Sequence, residues 1–371
     1  MTGSSTMHAS ELFVPLVSYP DPAPIETVPT ALAASRHLGA DLVGLSLLAD
    51  IPDVSSPLSR LLLDTPSLIR KAEAKSRKHA VELAGALTKA AEAEGLAVSI
   101  EQASVRPELF GETAASRARY ADLSFAGWTP GNDAVAMVAE AVLFGSGRPL
   151  LLAPAGSILP SLDHVAIAWD GSRVAARALA DARDFLARAK RVSVVTVVDE
   201  KPLPSDDIGQ KLADALKRRG FDAAPISTTG RDATIAETLQ KDAAALGAGL
   251  LVMGGFGHSR MRDFVLGGAT KGVFANLKMP ELLSHSPEAL GFIEEAVMVS
   301  RTCAEPDDLD TIRHGTEVCP CAALGLATRR GRHHRRGRQA GCSGASTVSS
   351  MTCCRDTSEG RRPQPRESIE P

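Results

Sequence analysis

Aromatic residues are scarce, at 4%, and cysteine is missing from the chain until Cys303 of 371 residues. The part before Cys303 therefore cannot use disulfides or thiol chemistry and has to stand on aliphatic packing. Neither sign of charge is in excess. Lys and Arg number 41 against 44 Asp and Glu, a net charge of −3, so nothing draws the chain to a nucleic acid. No run of about 18 apolar residues is present, so no membrane span is expected. The N-terminus MTGSSTMHASELFVPLVSY lacks the basic flank and long apolar core of a signal peptide, and the expected location is the cytoplasm. What is present is a 44% hydrophobic chain, long enough for two domains with cores of their own.

From residue 164 onward, short β-branched runs alternate with amphipathic stretches, the signature of βαβ units and a mainly parallel sheet. HVAIAW (164–169) predicts a first strand and residues 172–189 one helix. RVSVVTVVD (191–199) predicts a second strand, covered on both faces. A helix over 206–219 ends at Gly220, a strand follows over 223–228 and a helix over 233–246. AGLLVMGG (248–255), a short helix over 272–277 and PELLSH (280–285) complete five strands.

The first half repeats this order faintly. ELFVPLVSY (11–19), GADLVGLSLLAD (39–50), ADLSFAGW (121–128) and GRPLLLAP (147–154) match the first, second, fourth and fifth strands of the second half, with one long helical stretch over 67–95. The organisation expected is a flexible N-terminus (1–10), a degenerate first domain (11–154), a two-proline linker (155–163), a second domain (164–286) and a tail (287–371). In the tail lysine disappears and arginine runs such as RRGRHHRRGR (329–338) take over, a composition read as mostly disordered. Cys319, Cys321, His333 and His334 match no common metal spacing, and no metal is expected.

The informative segment is GGFGHSRMRDFVLGGAT, 254–270, at the C-terminal end of a strand. Open α/β sheets place ligands there, and glycine lets backbone N–H groups approach phosphate oxygens. Gly267 and Gly268 open a helix, whose N-terminus favours an anion. No lysine follows in Walker A position. Arg260 stands where a dinucleotide fingerprint needs its third glycine, so both of those chemistries are excluded.

At this point the sequence resembles the universal stress protein family, whose nucleotide-binding members carry Gly-x2-Gly-x9-Gly-Ser/Thr at this place. Gly254, Gly257 and Gly267 fit that spacing. The resemblance covers 165–285 well, 11–154 weakly, and the tail not at all. It implies an α/β fold of two tandem five-stranded, mainly parallel sheets with helices on both faces, Rossmann-like and of the adenine nucleotide α-hydrolase type, binding ATP or AMP. By position, Asp170 would meet the adenine and Val197 would line its pocket. The loop would hold ribose and phosphates, with His258, Ser259 and Thr270 as its side-chain contacts. Two departures stand out. Gly268 replaces the usual Ser or Thr, removing one hydroxyl worth about 1–2 kcal/mol as a bond to a charged group. Glu281 stands in the last strand where an apolar residue is expected, in the strand that pairs domains in many members. The first half has no equivalent loop, and no nucleotide is expected there.

Each assignment has a plain structural counterpart. The glycines can serve turns alone, Asp170 can cap the helix that follows, and His258 and the loop arginines can be solvated surface groups. No general base stands beside Ser259 or Thr270. The function expected is an adenine-nucleotide-binding stress protein acting through protein partners, without conventional turnover and as a homodimer or with its two halves paired. A nucleotide-free interaction module, and a slow ATPase or self-phosphorylating protein, are the alternatives.

Overall fold

The structure, a computed structural model, describes residues 10–52, 64–156, 159–199, 202–230, 233–255 and 268–285, and at 268–271 only the backbone. Of the expected N-terminal segment 1–10, residues 1–9 lie outside the described residues and Ser10 opens β1; the expected tail, 287–371, lies outside them entirely.

The first half runs β1 (Ser10–Val17), α1 (Val28–Leu38), β2 (Ala40–Ala49), α2 (Thr65–Ala93), β3 (Val98–Val105), α3 (Phe110–Ala118), β4 (Leu123–Trp128), α4 (Asp133–Gly145) and β5 (Leu150–Pro154). The second runs β6 (His164–Ala168), α5 (Arg173–Asp181), α6 (Arg183–Arg188), β7 (Arg191–Val197), α7 (Ile208–Arg218), β8 (Ala223–Thr228), α8 (Ile235–Ala245), β9 (Leu250–Gly254), α9 (Gly268–Ala275) and β10 (Glu281–Ser284).

Helix limits follow local chemistry. Asp64, Asn132 and Ser172 each accept a backbone N–H of the first turn of α2, α4 and α5, and Thr234 with Glu237 forms a reciprocal capping box on α8. Gly39 ends α1 at φ +68°, the left-handed conformation of a C-terminal cap. The single helix expected over 172–189 is two, broken at Ala182. The second piece turns Phe185 and Leu186 into the core.

Strand order is β3-β2-β1-β4-β5-β10-β9-β6-β7-β8. Each half is a parallel five-stranded sheet of identical order, and the two expected sheets are one continuous sheet because β5 and β10 pair antiparallel. Leu152 stands opposite Glu281, Leu151 opposite Leu282 and Leu150 opposite Leu283. This pairing covers the edge that each half would otherwise expose, and it points the carboxyl ends of the two half-sheets in opposite directions. Leu12, Leu151, Val165, Val252 and Leu282 belong to a core on one face of the sheet. Phe13, Leu150, Leu152, Leu283 and Val273 belong to a core on the other.

The seam holds several cross-half contacts. On one face the His37 ring of α1 stacks on Phe185 of α6, centroids 6.0 Å apart, and Arg188 donates to the Leu38 carbonyl at 3.0 Å. On the other, Trp128 meets Phe274 edge-on at 5.3 Å and Phe144 meets His285 edge-on at 5.0 Å. The Glu281 carboxyl is fully buried in this seam and neither oxygen has a hydrogen-bond partner. Burial drives it well above the usual carboxylate range.

Candidate functional site

In the second half the sheet's connections change direction between β6 and β9. From β6 the chain moves outward to β7 and β8, and β9 lies on the inner side next to β10. A ligand of an open α/β sheet sits outside the strand ends at such a point. Asp170, Val197 and Gly254 are brought to this edge, at the ends of β6, β7 and β9.

Asp170 is half-buried in a tight turn, where its Oδ1 accepts the Ser172 N–H at 2.9 Å. The cap of α5 is Ser172, whose hydroxyl accepts the Ala175 N–H at 3.2 Å, rather than Asp170 itself. Gly171 makes the turn possible at φ +74°. Val197 is buried, and a Cβ added at Gly230 would lie 3.6 Å from its Cγ1; the Gly230 N–H donates to Asp199 Oδ1 at 2.8 Å and ties the β7 and β8 ends together.

Gly254 has a role that the sequence reading did not assign. A Cβ there would lie 2.7 Å from the Val174 carbonyl carbon and 2.8 Å from the Ala175 nitrogen. The glycine admits the first turn of α5 against the end of β9, drawing the N-terminus of that helix to this edge of the sheet. Residues 256–267, with Gly257, His258, Ser259 and Gly267, lie outside the described residues. Gly268 opens α9 and Thr270 follows in its first turn, with side chains outside the described residues. Among the described residues no group of His, Cys, Asp and Glu could hold a metal ion, and no helix is long and apolar enough to cross a membrane.

The same edge of the first half is built alike and then occupied. Leu12 aligns with Leu123 and Val165 with Leu250, so Gly127 and Gly254 stand four residues along equivalent strands. A Cβ on Gly127 would fall 1.9 Å from Thr27 Cγ2, so here too the start of the first helix abuts the fourth strand. The surroundings then diverge. Pairing of β1 with β4 stops at Phe13–Ser124, two residues before Pro15, which has no N–H for a ladder bond. Residues 22–27 fill the gap: the Ala23 N–H donates to the Val17 carbonyl at 2.8 Å and Asn132 Nδ2 donates to the Pro22 carbonyl at 2.9 Å. The small cavity left is lined by Val14, Leu16, Val28, Leu87, Phe125 and Val138 among others, with Thr27 as its one polar side chain.

Helix α2 closes the rest. It has 29 residues against 11 in α7, its counterpart, and each gives way to the next strand after four residues. The extra N-terminal turns, about 27 Å at 1.5 Å per residue, pass over the ends of β1 and β2. The Ser76 hydroxyl accepts the Ala49 N–H at 2.9 Å and lies 2.6 Å from the Ser18 hydroxyl, and Glu73 accepts the Ile51 N–H at 3.1 Å. His79 Nδ1 is 3.1 Å from the Ser18 carbonyl. The position equivalent to Val197 is Leu47, so these bonds lie at the strand end equivalent to that of β7. Sequence reasoning saw the long helix but not its crossing. The one signal was the excess length of α2.

This is an α/β protein of the doubly wound class with two switch points, one occupied by its own chain. Its fold is that of the universal stress proteins. A universal stress protein from Archaeoglobus fulgidus DSM 4304 superposes with a TM-score of 0.52 at 14% identity, covering 75% of this chain and 99% of that one. A functionally unknown protein from Pseudomonas aeruginosa PAO1 gives 0.42 at 16% identity, over 77% of this chain and 97% of that one. A universal stress family protein from Burkholderia pseudomallei gives 0.26 at 24% identity, over 34% of this chain and 98% of its own. No protein-family model and no curated protein sequence matches the chain.

Proposed function

We propose that the chain binds an adenine nucleotide, ATP or AMP, at the carboxyl edge of β6 and β9. Its output passes through protein partners in a stress response, without conventional turnover. The observation that carries this reading is the contrast between two equivalent edges. The first is plugged by residues 22–27 and by Glu73, Ser76 and His79 of α2, and its cavity is apolar. The second has the four-residue turn 169–172 instead, with Asp170 bonded within it, and a glycine-rich sequence follows β9. Asp170 and Val197 would bound the base. Gly257, Gly267 and Gly268 would bring backbone N–H groups and a helix N-terminus to the phosphates, with His258, Ser259 and Thr270 beside them.

Isothermal titration of the full chain with ATP, AMP and cyclic AMP tests it. Binding with one site per chain is expected. Gly257→Val abolishes it by blocking the backbone approach, and His258→Ala weakens it less. No heat at millimolar nucleotide overturns the proposal and leaves a nucleotide-free interaction module. Phosphate release or a phosphorylated chain after incubation with ATP would instead assign slow hydrolysis or self-phosphorylation.

A further inference from the structure

The root of the second half's loop is tied to the end of β10 and backed by the first half. Gly255 is the residue after β9, and its N–H donates to the Ser284 carbonyl at 2.7 Å. His285 Nδ1 lies 3.1 Å from the Gly255 carbonyl, a bond that the ring donates when Nδ1 carries the proton. Both polar groups of Gly255 are thus tied to the end of β10. Behind them stands the last turn of α4. Leu143 fills the space where a side chain at 255 would go, since a Cβ there would lie 3.2 Å from Leu143 Cδ2. The neighbouring Phe144 meets the His285 ring edge-on at 5.0 Å and 78°.

The arrangement is reciprocal but chemically unequal. The residue equivalent to Gly255 in the first half is Trp128, which is buried and braced by Phe274 of the second half's α9. A tryptophan side chain fixes its own strand end by packing. Two consecutive glycines have the widest conformational freedom of any dipeptide and need to be fixed from outside.

We propose that α4 acts as a clamp on the loop root, with Leu143 and Phe144 as positioning residues and His285 as the intermediate. A phosphate-bearing ligand held by the loop is then thermodynamically coupled to the seam between the halves. The ligand in this inference rests on the nucleotide-binding reading; the clamp does not. A ligand that binds only the clamped loop stabilises the seam by the same factor by which the clamp tightens the ligand. The first half, with its own edge plugged, thereby acts on the site of the second.

The test is amide hydrogen exchange at Gly255 in the full chain, together with ATP titration, for Phe144→Ala, His285→Ala and the double variant. Met137→Ala serves as the control, on the same helix at a side chain 41% exposed. Each single variant loses about tenfold of the protection at Gly255, and the double loses little more because both remove one linked contact. ATP affinity falls by about three- to tenfold in parallel. Phe144→Tyr, which keeps the ring edge, retains both, and Met137→Ala changes neither. Unchanged protection at Gly255 in both singles, or additive losses in the double, overturns the clamp. Lost protection with undiminished ATP affinity overturns the coupling. If the wild type takes no ATP, the proposed function falls and the exchange rates alone decide the clamp. Should Phe144→Ala not fold, His285→Ala and Phe144→Tyr carry the same comparison.

Discussion

Glu281→Gln should stabilise the protein, and increasingly so as pH rises. The carboxyl lies between Leu152 and Leu251 in the register of the seam, fully buried, with both oxygens unpartnered and its proton affinity raised by burial. The folded chain holds the acid in its neutral form, whereas the unfolded chain ionises near pH 4.3. Because the folded value is the higher one, the associated stability is complete below about pH 4.3 and is lost as pH rises toward the folded value. Each pH unit in that window removes about 1.4 kcal/mol. Gln keeps the shape and cannot ionise. Its advantage should be near zero at pH 4.5 and grow by at most about 1.4 kcal/mol per pH unit until the folded carboxyl ionises. Glu281→Leu adds the relief of two unsatisfied polar atoms, about 1–3 kcal/mol each. Urea unfolding of the wild type and both variants from pH 4.5 to 8 measures this. A pH-independent difference between wild type and Glu281→Gln would refute the buried neutral acid, and a destabilised Gln variant at pH 7 would show a charged carboxylate with a partner.

Three further outcomes can be checked. His37 carries a buried, unpartnered Nε2, and burial first, then Arg188, hold its proton affinity below the usual imidazole range against a smaller opposing pull from Asp163. This folded value is the lower one, so the stability is complete above about pH 6.5 and is lost as pH falls. His37→Gln should flatten the acid limb of the stability profile, and an unchanged limb in urea titrations would exclude His37 as its source. Gly254→Ala puts a methyl against the backbone of Val174 and Ala175, so it should cost about 1–3 kcal/mol as overpacking and weaken ATP binding, with no single side-chain change able to relieve it. For Gly127→Ala the three nearest atoms all belong to the Thr27 side chain, so Thr27→Ala should recover much of its loss in thermal melts; equal behaviour of the two glycines would contradict their different surroundings.

How far the sequence reveals this arrangement depends on where the information lies. Strands β1, β2, β4 and β5 are readable because ELFVPLVSY and GADLVGLSLLAD are apolar runs, as strands covered on both faces must be. Strand β3 escapes because VSIEQASV lies at the sheet edge and is half exposed and polar. Helices α1, α3 and α4 are masked by alanine, which gives little periodic contrast in segments such as DAVAMVAEAVLFG. At the site, the glycines and Asp170 advertise a strand-end turn. Gly254's contact with α5 and Gly255's with Leu143 are tertiary and leave no local mark. Glu281 reads as an anomaly in the sequence, but only the pairing of β10 with β5 shows that it is buried inside the molecule rather than at a dimer face.

The two halves separate frame from use. Strand order, the glycine ending the fourth strand and the helix start packed on it are common to both, so these features belong to the architecture and carry no evidence for a ligand on their own. The differences lie beyond that frame: a chain reversal at 18–27 against a four-residue turn at 169–172, a 29-residue helix against an 11-residue one, and a tryptophan against a second glycine. All three act in one direction, filling the first edge with the chain's own groups. A filled edge needs no ligand to satisfy its backbone, as Ser76 and Glu73 already receive the Ala49 and Ile51 N–H groups. Asymmetry of this kind is what the proposed division of roles predicts, with the first edge closed by its own chain and the ligand taken at the second. If neither half bound a ligand, the ATP titration would show no heat, and the packing of Leu143 and Phe144 at Gly255 and His285 would serve the seam alone.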